Sequence, residues 1–467
     1  MMKGLQITGL SVATATETLV EPVDVRLQPG RPLTLLGETG SGKSLLAQAI
    51  MGILPPSLQA SGEVMINGRR FQLPQDTAQL RRLWGNTLAS LPQEPWLSLD
   101  PTMAIQQQVA EGHRFVRGLP PAASAAAAQQ DLQQLGLAAA ARRYPWQLSG
   151  GMAQRAAFAA ARAGGAQVLI ADEPTKGLDV ARRDEVSQLL QREVADGVML
   201  LTITHDIALA RQLGGDVLVI HKGSVIEQGP AQQVLQSPQQ PYTRALLAAD
   251  PAVWPARQQT VIGARPVISA QDIMLARGGK RLGVPRDFTL HAGEIVGLHG
   301  ASGSGKSSFG DVLLGLLAPQ QGRVTHHADA DALKYQKIYQ DPSALFPPQR
   351  TLGQSINDVL RRHALPPAQR DALMARLALH PALLTRRPEA LSGGELQRFA
   401  LLRVMLLRPV FLFADEPTSR LDPLVQQQTW QLIAELAREQ QCAVLLVSHD
   451  RDLLEKGTHR VIAMEAA

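Results

Sequence analysis

Gly37-Glu38-Thr39-Gly40-Ser41-Gly42-Lys43-Ser44 lies between the apolar run Leu33-Thr34-Leu35-Leu36 and a helical pattern from Leu45 to Leu54. The arrangement returns as Gly300-Ala301-Ser302-Gly303-Ser304-Gly305-Lys306-Ser307, after Ile295-Val296-Gly297-Leu298 and before a helical pattern from Ser308 to Leu317. Four landmarks follow each copy in the same order. After the first come Gln93, Leu148-Ser149-Gly150-Gly151, Asp172-Glu173 and His205. After the second come Gln340, Leu391-Ser392-Gly393-Gly394, Asp415-Glu416 and His449. From the glutamine onward the copies are offset by 243 to 247 residues, a register that holds within four. Five parts repeated in order mark a tandem duplication, and hence two related domains.

The glycine-rich pattern G-x-x-x-x-G-K-[ST] bares backbone N–H groups which, with the start of the following helix, cradle phosphate oxygens. Lys43 and Lys306 are placed to reach the β and γ phosphates, and Ser44 and Ser307 to ligate Mg²⁺. A lone match of this kind can be no more than a glycine-rich turn, but two matches, each between strand and helix, leave that reading little room. Asp172 and Asp415 each end an apolar strand, which aims a carboxylate at the ion. Glu173 and Glu416 follow directly, where they can orient and deprotonate an attacking water. An Asp-Glu pair is more often a solvated strand end. Here the apolar run before it and Pro-Thr after it (Pro174-Thr175, Pro417-Thr418) favour the catalytic reading. His205 and His449 each close a strand and precede Asp, and the repeat favours a γ-phosphate contact over a purely structural role.

Val168-Leu169-Ile170 and Val198 to Ile203 read as buried parallel strands, as do Val410 to Phe413 and Ala443 to Val447. Strands alternating with helices give an α/β sheet covered on both faces. Val64-Met65-Ile66-Asn67-Gly68 predicts a strand entering a hairpin turn. Ala122 to Ala141, rich in Ala, Gln and Leu, predicts helix. The lysine-to-glutamine spacing is 50 residues in the first half and 34 in the second, so the halves differ there by a strand or loop. Pro251, Pro255 and Pro266 with Arg257-Gln258-Gln259 predict a linker at 256–266, between domains at 1–255 and 267–467.

With 45% hydrophobic and 19% charged residues the chain is globular, neither fibrous nor disordered. A net charge of +5 suits an anionic membrane face or RNA, but no dense basic run selects either. The single cysteine, Cys442, excludes an intrachain disulfide and a cysteine-built zinc or iron–sulfur site. No stretch has the ~18 consecutive apolar residues of a spanning helix, and the start lacks a signal-peptide core. A soluble, reducing compartment is the expectation.

These motifs resemble the ATP-binding-cassette (ABC) ATPases over nearly the full chain, with Leu-Ser-Gly-Gly as that family's signature. The resemblance implies two tandem ABC-type P-loop NTPase domains, each with a mainly parallel core sheet, an antiparallel β subdomain and a helical subdomain. It implies ATP and Mg²⁺ as ligands, with the metal near Ser44, Gln93 and Asp172 in one half and Ser307, Gln340 and Asp415 in the other. In the family two cassettes pack head to tail. Carried over, Ser392, Gly393 and Gly394 close on the nucleotide held by Lys43, and Ser149, Gly150 and Gly151 on that held by Lys306. Gln93 and Gln340 match the Q-loop, Asp179 and Asp422 the D-loop.

Gln93-Glu94-Pro95-Trp96-Leu97-Ser98-Leu99-Asp100-Pro101 resembles a run of the oligopeptide, dipeptide and nickel importer ATPases. Ser237-Pro238-Gln239-Gln240-Pro241-Tyr242-Thr243-Arg244-Ala245-Leu246-Leu247 resembles the tail of the same group. The group implies peptide, nickel or chelated-metal cargo, two integral-membrane permease subunits, an extracytoplasmic binding protein, and a place on the cytoplasmic face of the bacterial inner membrane without nucleic acid. Three departures stand out. Gln340-Asp341-Pro342-Ser343-Ala344-Leu345 keeps only part of the first run, the upstream aromatic that stacks on adenine has no clear equivalent, and the second half lacks the tail. The alternative is a tandem ABC protein of translation or nucleic-acid maintenance. The short Pro/Gln linker argues against the ribosome-acting group, and one cysteine against the zinc-bearing repair group. His326-His327-Ala328-Asp329-Ala330-Asp331 has metal-ligating composition but falls at a hairpin turn, where a solvated loop is expected.

Overall fold

The computed structural model describes residues 4–91, 98–176, 178, 180–256, 265–277, 280–301, 303–327, 331–418 and 421–464. They form two compact units, Met1–Leu247 and Ala248–Ala467. Residues just after the division pack with the second unit. Trp254 lies against its core, and the Lys456 ammonium donates to the Ala252 carbonyl.

The first unit is built on a six-stranded sheet. Its strands run Ser224–Pro230, Asp216–His221, Leu33–Leu36, Met199–Thr204, Val168–Asp172 and Leu88–Leu91 in space. All neighbours are parallel except the first pair. The apolar runs lack alternation because both sheet faces are covered. Along Val168–Asp172, Val168 and Ile170 join one core while Leu169 and Ala171 join the other. The first core reaches a four-stranded antiparallel sheet of Thr18–Leu27, Leu5–Ala13, Gln59–Ile66 and Arg69–Leu73. The second core includes residues of helices Ile105–Glu111, Pro121–Gln134 and Gly150–Arg162.

The second unit repeats the plan with a five-stranded, fully parallel sheet. Its spatial order is Tyr335–Ile338, Phe411–Asp415, Ala443–Val447, Ile295–Gly300 and Arg460–Met464. Phe411 and Phe413 face one core, Leu412 and Ala414 the other. Its antiparallel sheet has three strands, Lys280–His291, Pro266–Arg277 and Gln321–His326. The spacing difference between the halves now has a structural cause. The first unit inserts strand Arg69–Leu73 and helix Thr77–Arg81 before the strand that leads to Gln93. Asn67 (φ 51°) and Gly68 (φ 83°) make the hairpin turn into that strand, two residue types that enter the left-handed region at low cost. Among the described residues no helix is long and apolar enough to cross a membrane.

Candidate functional site

Strand Leu33–Leu36 lies inside its sheet with a parallel neighbour on either side. Parallel order brings the carboxyl ends of the strands to one edge, and there the chain enters Gly37–Gly42. Two glycines are required by space. A Cβ on Gly37 would meet the Ile220 carbonyl oxygen at 2.2 Å, and one on Gly42 (φ 99°) would meet a Val20 methyl at 2.7 Å. Lys43 is buried, and its ammonium donates to the carbonyls of Gly37 (2.8 Å) and Glu38 (2.7 Å) and to Ser41 Oγ (3.2 Å). Helix Lys43–Met51 begins without a side-chain cap, as does Lys306–Leu313 in the second unit. Uncapped N–H groups beside a fixed ammonium make an anion cradle.

The Ser44 hydroxyl donates to Asp172 Oδ1 at 3.1 Å. Burial pushes the Asp172 carboxyl up to about 6, partly opposed by that hydrogen bond. Hard oxygen donors side by side, one of them a half-buried carboxylate, suit a small divalent cation. In the second unit burial also raises the Asp415 carboxyl, against a hydrogen bond from Ser307 and the charge of Lys337.

Glu173 and Glu416 have φ of 49° and 48°, left-handed backbone that costs glutamate about 1–2 kcal/mol. Their N–H groups donate to the carbonyls of Ile203 (2.8 Å) and Val447 (3.0 Å), which helps hold the turn. His205 Nδ1 lies 2.8 Å from Glu173 Oε1, and the Thr204 hydroxyl donates to Oε2 at 3.2 Å. Burial alone would raise the Glu173 carboxyl, but His205 and Lys43 outweigh it and hold it below its ordinary range. Glu173 in turn outweighs burial and raises the His205 imidazole.

In the second unit Lys306 donates to the carbonyls of Gly300 (2.7 Å) and Ala301 (3.0 Å). Glu416 receives His449 Nε2 at 2.8 Å and a hydrogen bond from Gln340 Nε2 at 2.8 Å. The two histidines thus offer opposite ring nitrogens to their glutamates. Gln93, with the run from Pro92 to Leu97, Asp179 and Ser302 lie outside the described residues.

Ser149 and Ser392 cap helices Gly150–Arg162 and Gly393–Leu406. Ser392 does so in a reciprocal box, its oxygen accepting from the Glu395 N–H while Glu395 accepts from the Ser392 N–H and hydroxyl. Ser149, Gly150, Ser392 and Gly393 are exposed, and among the described residues a Cβ on Gly150 or Gly393 would meet nothing within 4 Å. Within its unit the signature is therefore open to a ligand. Asp422 caps helix Pro423–Gln440 through the Val425 N–H (3.1 Å).

Residues that sequence reasoning did not place also meet here. Gln154, in the helix that follows the first signature, donates to the Pro174 carbonyl just after Glu173. Tyr242, from the tail run, accepts the Glu38 N–H at 3.1 Å and packs on His221 with ring centres 4.0 Å apart. His221 Nδ1 also lies 2.9 Å from Glu38 Oε1, so the tail is fastened to the phosphate loop. By contrast His326 bonds the Leu313 carbonyl and His327 the Ser269 hydroxyl. Among the described residues no cluster of three metal-ligating side chains forms.

The ABC transporter family model matches residues 20–176 and 285–419. The chain is 35% identical to "Glutathione import ATP-binding protein GsiA" of Salmonella typhi, covering 98% of this chain and 84% of that protein. It is 34% identical to "Peptidoglycan transport ATP-binding protein YejF" of Agrobacterium fabrum, covering 98% and 90%. Among solved structures, "RNase-L Inhibitor" superposes with a TM-score of 0.66 at 20% identity, over 97% of this chain and 87% of that one. That likeness shows the fold alone.

Proposed function

Because the chain belongs to the ABC transporter family, we propose that it powers a bacterial importer of peptide-like cargo through two ATP sites, one centred on each phosphate loop. The observation that carries this is the repeated assembly of buried lysine, serine–aspartate pair and histidine-held glutamate, on a chain aligned almost end to end with import ATP-binding proteins. The named relatives favour peptide or glutathione cargo over nickel or a chelated metal.

In each site the glycine-rich loop and lysine hold the phosphates of ATP. Ser44 with Asp172, and Ser307 with Asp415, would hold Mg²⁺, which when bound offsets phosphate charge. Glu173 and Glu416 orient a water and take its proton as its oxygen bonds the γ-phosphorus and the bond to ADP breaks. His205 and His449 keep those carboxylates aimed. The signature of each unit is proposed to complete the other's site, so that ATP holds the pair closed and hydrolysis frees it. Two integral-membrane permeases at the cytoplasmic face, fed by an extracytoplasmic binding protein, are the proposed partners.

Affinity purification of the tagged chain from gently solubilised membranes tests the importer reading. Two polytopic permeases are expected among the co-purifying chains. Ribosomes or translation factors in their place would favour the translation alternative.

Asp172 should make cation binding at the first site depend on protons. Its carboxyl keeps a proton up to about pH 6, whereas an unfolded aspartate loses it near pH 4. Above that pH the ion meets an ionised ligand; below it each ion must displace a proton, and apparent affinity should fall about tenfold per pH unit. Mn²⁺ titration followed by electron paramagnetic resonance from about pH 5 to pH 8 reads this directly. An affinity flat across that range would remove Asp172 from the ligand set.

A further inference from the structure

The peptide group that joins Gly37 to Glu38 is held at both ends. Its carbonyl accepts from the Lys43 ammonium at 2.8 Å, and its N–H donates to the Tyr242 hydroxyl at 3.1 Å. In a trans peptide these two groups point opposite ways in one plane, so fixing the N–H also fixes the direction of the carbonyl. A rotated peptide would turn the N–H toward the ammonium, donor against donor.

Tyr242 is firmly placed for this. It is the second residue of helix Pro241–Ala248, in which Thr243, Leu246 and Leu247 are buried. Just before the helix, the N–H groups of Gln239 and Gln240 donate to the Glu227 carboxylate at 2.7 Å and 3.1 Å. Glu227 belongs to strand Ser224–Pro230, the hairpin partner of Asp216–His221. That hairpin meets the phosphate loop again, where the Gly223 N–H donates to the Ser41 carbonyl at 3.1 Å. The His221 ring packs on Tyr242, and its Nδ1 lies 2.9 Å from Glu38 Oε1 but out of line for a hydrogen bond. In the second unit the Met464 carbonyl faces Gly300 as the Ile220 carbonyl faces Gly37. There, however, Ala301 stands in place of Glu38 and has no carboxylate to offer.

We propose that Tyr242 is a positioning residue of the first ATP site, which acts through the 37–38 peptide to keep Lys43 aimed at the phosphates before nucleotide arrives. This rests on the reading that Lys43 holds the phosphates of ATP. A lysine ammonium rides on a flexible four-carbon stem, and ordering that stem opposes binding. Lys43, held by the Gly37 and Glu38 carbonyls, is ordered already, so a phosphate meets a prepared donor. The tail helix is then a part of the first site, although it lies about 200 residues from the loop in sequence.

The full chain carrying Tyr242→Phe tests this, with azido-ADP photolabelling mapped to the Lys43 and Lys306 loops. ADP lacks the γ-phosphate through which the units are proposed to close, so each loop reports its own affinity. Phenylalanine keeps a ring on His221 and removes the acceptor. Half-labelling should need about three- to tenfold more nucleotide at the Lys43 loop, the net effect of one hydrogen bond, and the same amount at Lys306. In steady state the KM for ATP should rise by more than kcat falls, whereas loss of folded protein alone would lower kcat and leave KM. Glu38→Ala keeps the N–H and copies the second unit, so it should shift the Lys43 loop less than Tyr242→Phe does. Glu227→Ala frees the start of the tail helix and should weaken the Lys43 loop alone, which remains decisive if Tyr242→Phe fails to fold. Affinity unchanged at the Lys43 loop, or weakened equally at both loops, overturns the proposal. Lys43→Ala separates this from the reading beneath it. Label lost from that loop, with no effect of Tyr242→Phe, ends the proposal alone. Label retained there ends Lys43 as a phosphate ligand and the proposal with it.

Discussion

A chain carrying Glu173→Gln and Glu416→Gln is expected to bind ATP normally and to lose steady-state hydrolysis by about 10²- to 10⁴-fold. Glutamine keeps the size of the side chain and can still accept from His205 or His449, so the phosphate cradle should be undisturbed. What it cannot do is accept the proton of the attacking water. Each glutamate leaves the end of its strand in a left-handed turn, with its N–H tied to the neighbouring strand. Strain kept at the same residue in both units marks a side chain that has to point one way. The check is a turnover assay beside equilibrium binding of a fluorescent ATP analogue. Turnover near the wild-type rate would remove both residues from the role of base. Lost binding together with lost turnover would show that the substitution damaged the fold. Each single variant should lose the contribution of its own site, and unequal losses would show how far the two sites act independently.

The sequence made the central strands legible because they are buried on both faces and so lack polar punctuation. Val168–Asp172 and Phe411–Asp415 divide their side chains between two cores, a pattern that only an unbroken apolar run supplies. The phosphate loops were legible because their backbone demands glycine at fixed spacing. The Asn67-Gly68 turn announced a hairpin, but the following strand Arg69–Leu73 has too polar a composition to declare itself. The left-handed turn at the glutamates carries no residue-type signal, since glutamate is a poor choice for that backbone. Tyr242 on Glu38 joins residues 204 apart, and no local pattern reports such a contact.

Ser392→Arg provides the sharpest test of the proposed exchange of signatures. Within its own unit the change removes a helix cap, at about 1 kcal/mol, and breaks the reciprocal contact with Glu395. That cost is local to the start of helix Gly393–Leu406. Ser392 is exposed, and among the described residues nothing comes within 4 Å of a Cβ placed on Gly393. Arginine would put a long cationic side chain where small groups and helix N–H dipoles are proposed to meet the γ-phosphate of ATP held by Lys43. Its geometry cannot reproduce that contact, and closure over the Lys43 nucleotide should fail. Photolabelling with an azido-ATP under trapping conditions, followed by peptide mapping, assigns trapped nucleotide to the Lys43 or the Lys306 loop. The expected result is label lost by about tenfold or more at Lys43 and retained at Lys306. Ser149→Arg should reverse the pattern. Label lost from the loop in the same unit as the substitution would mean that each signature serves its own half, and would end the head-to-tail reading. A loss confined to the opposite loop in both variants is the outcome that only reciprocal completion predicts, because neither cap contact alone reaches beyond its own helix.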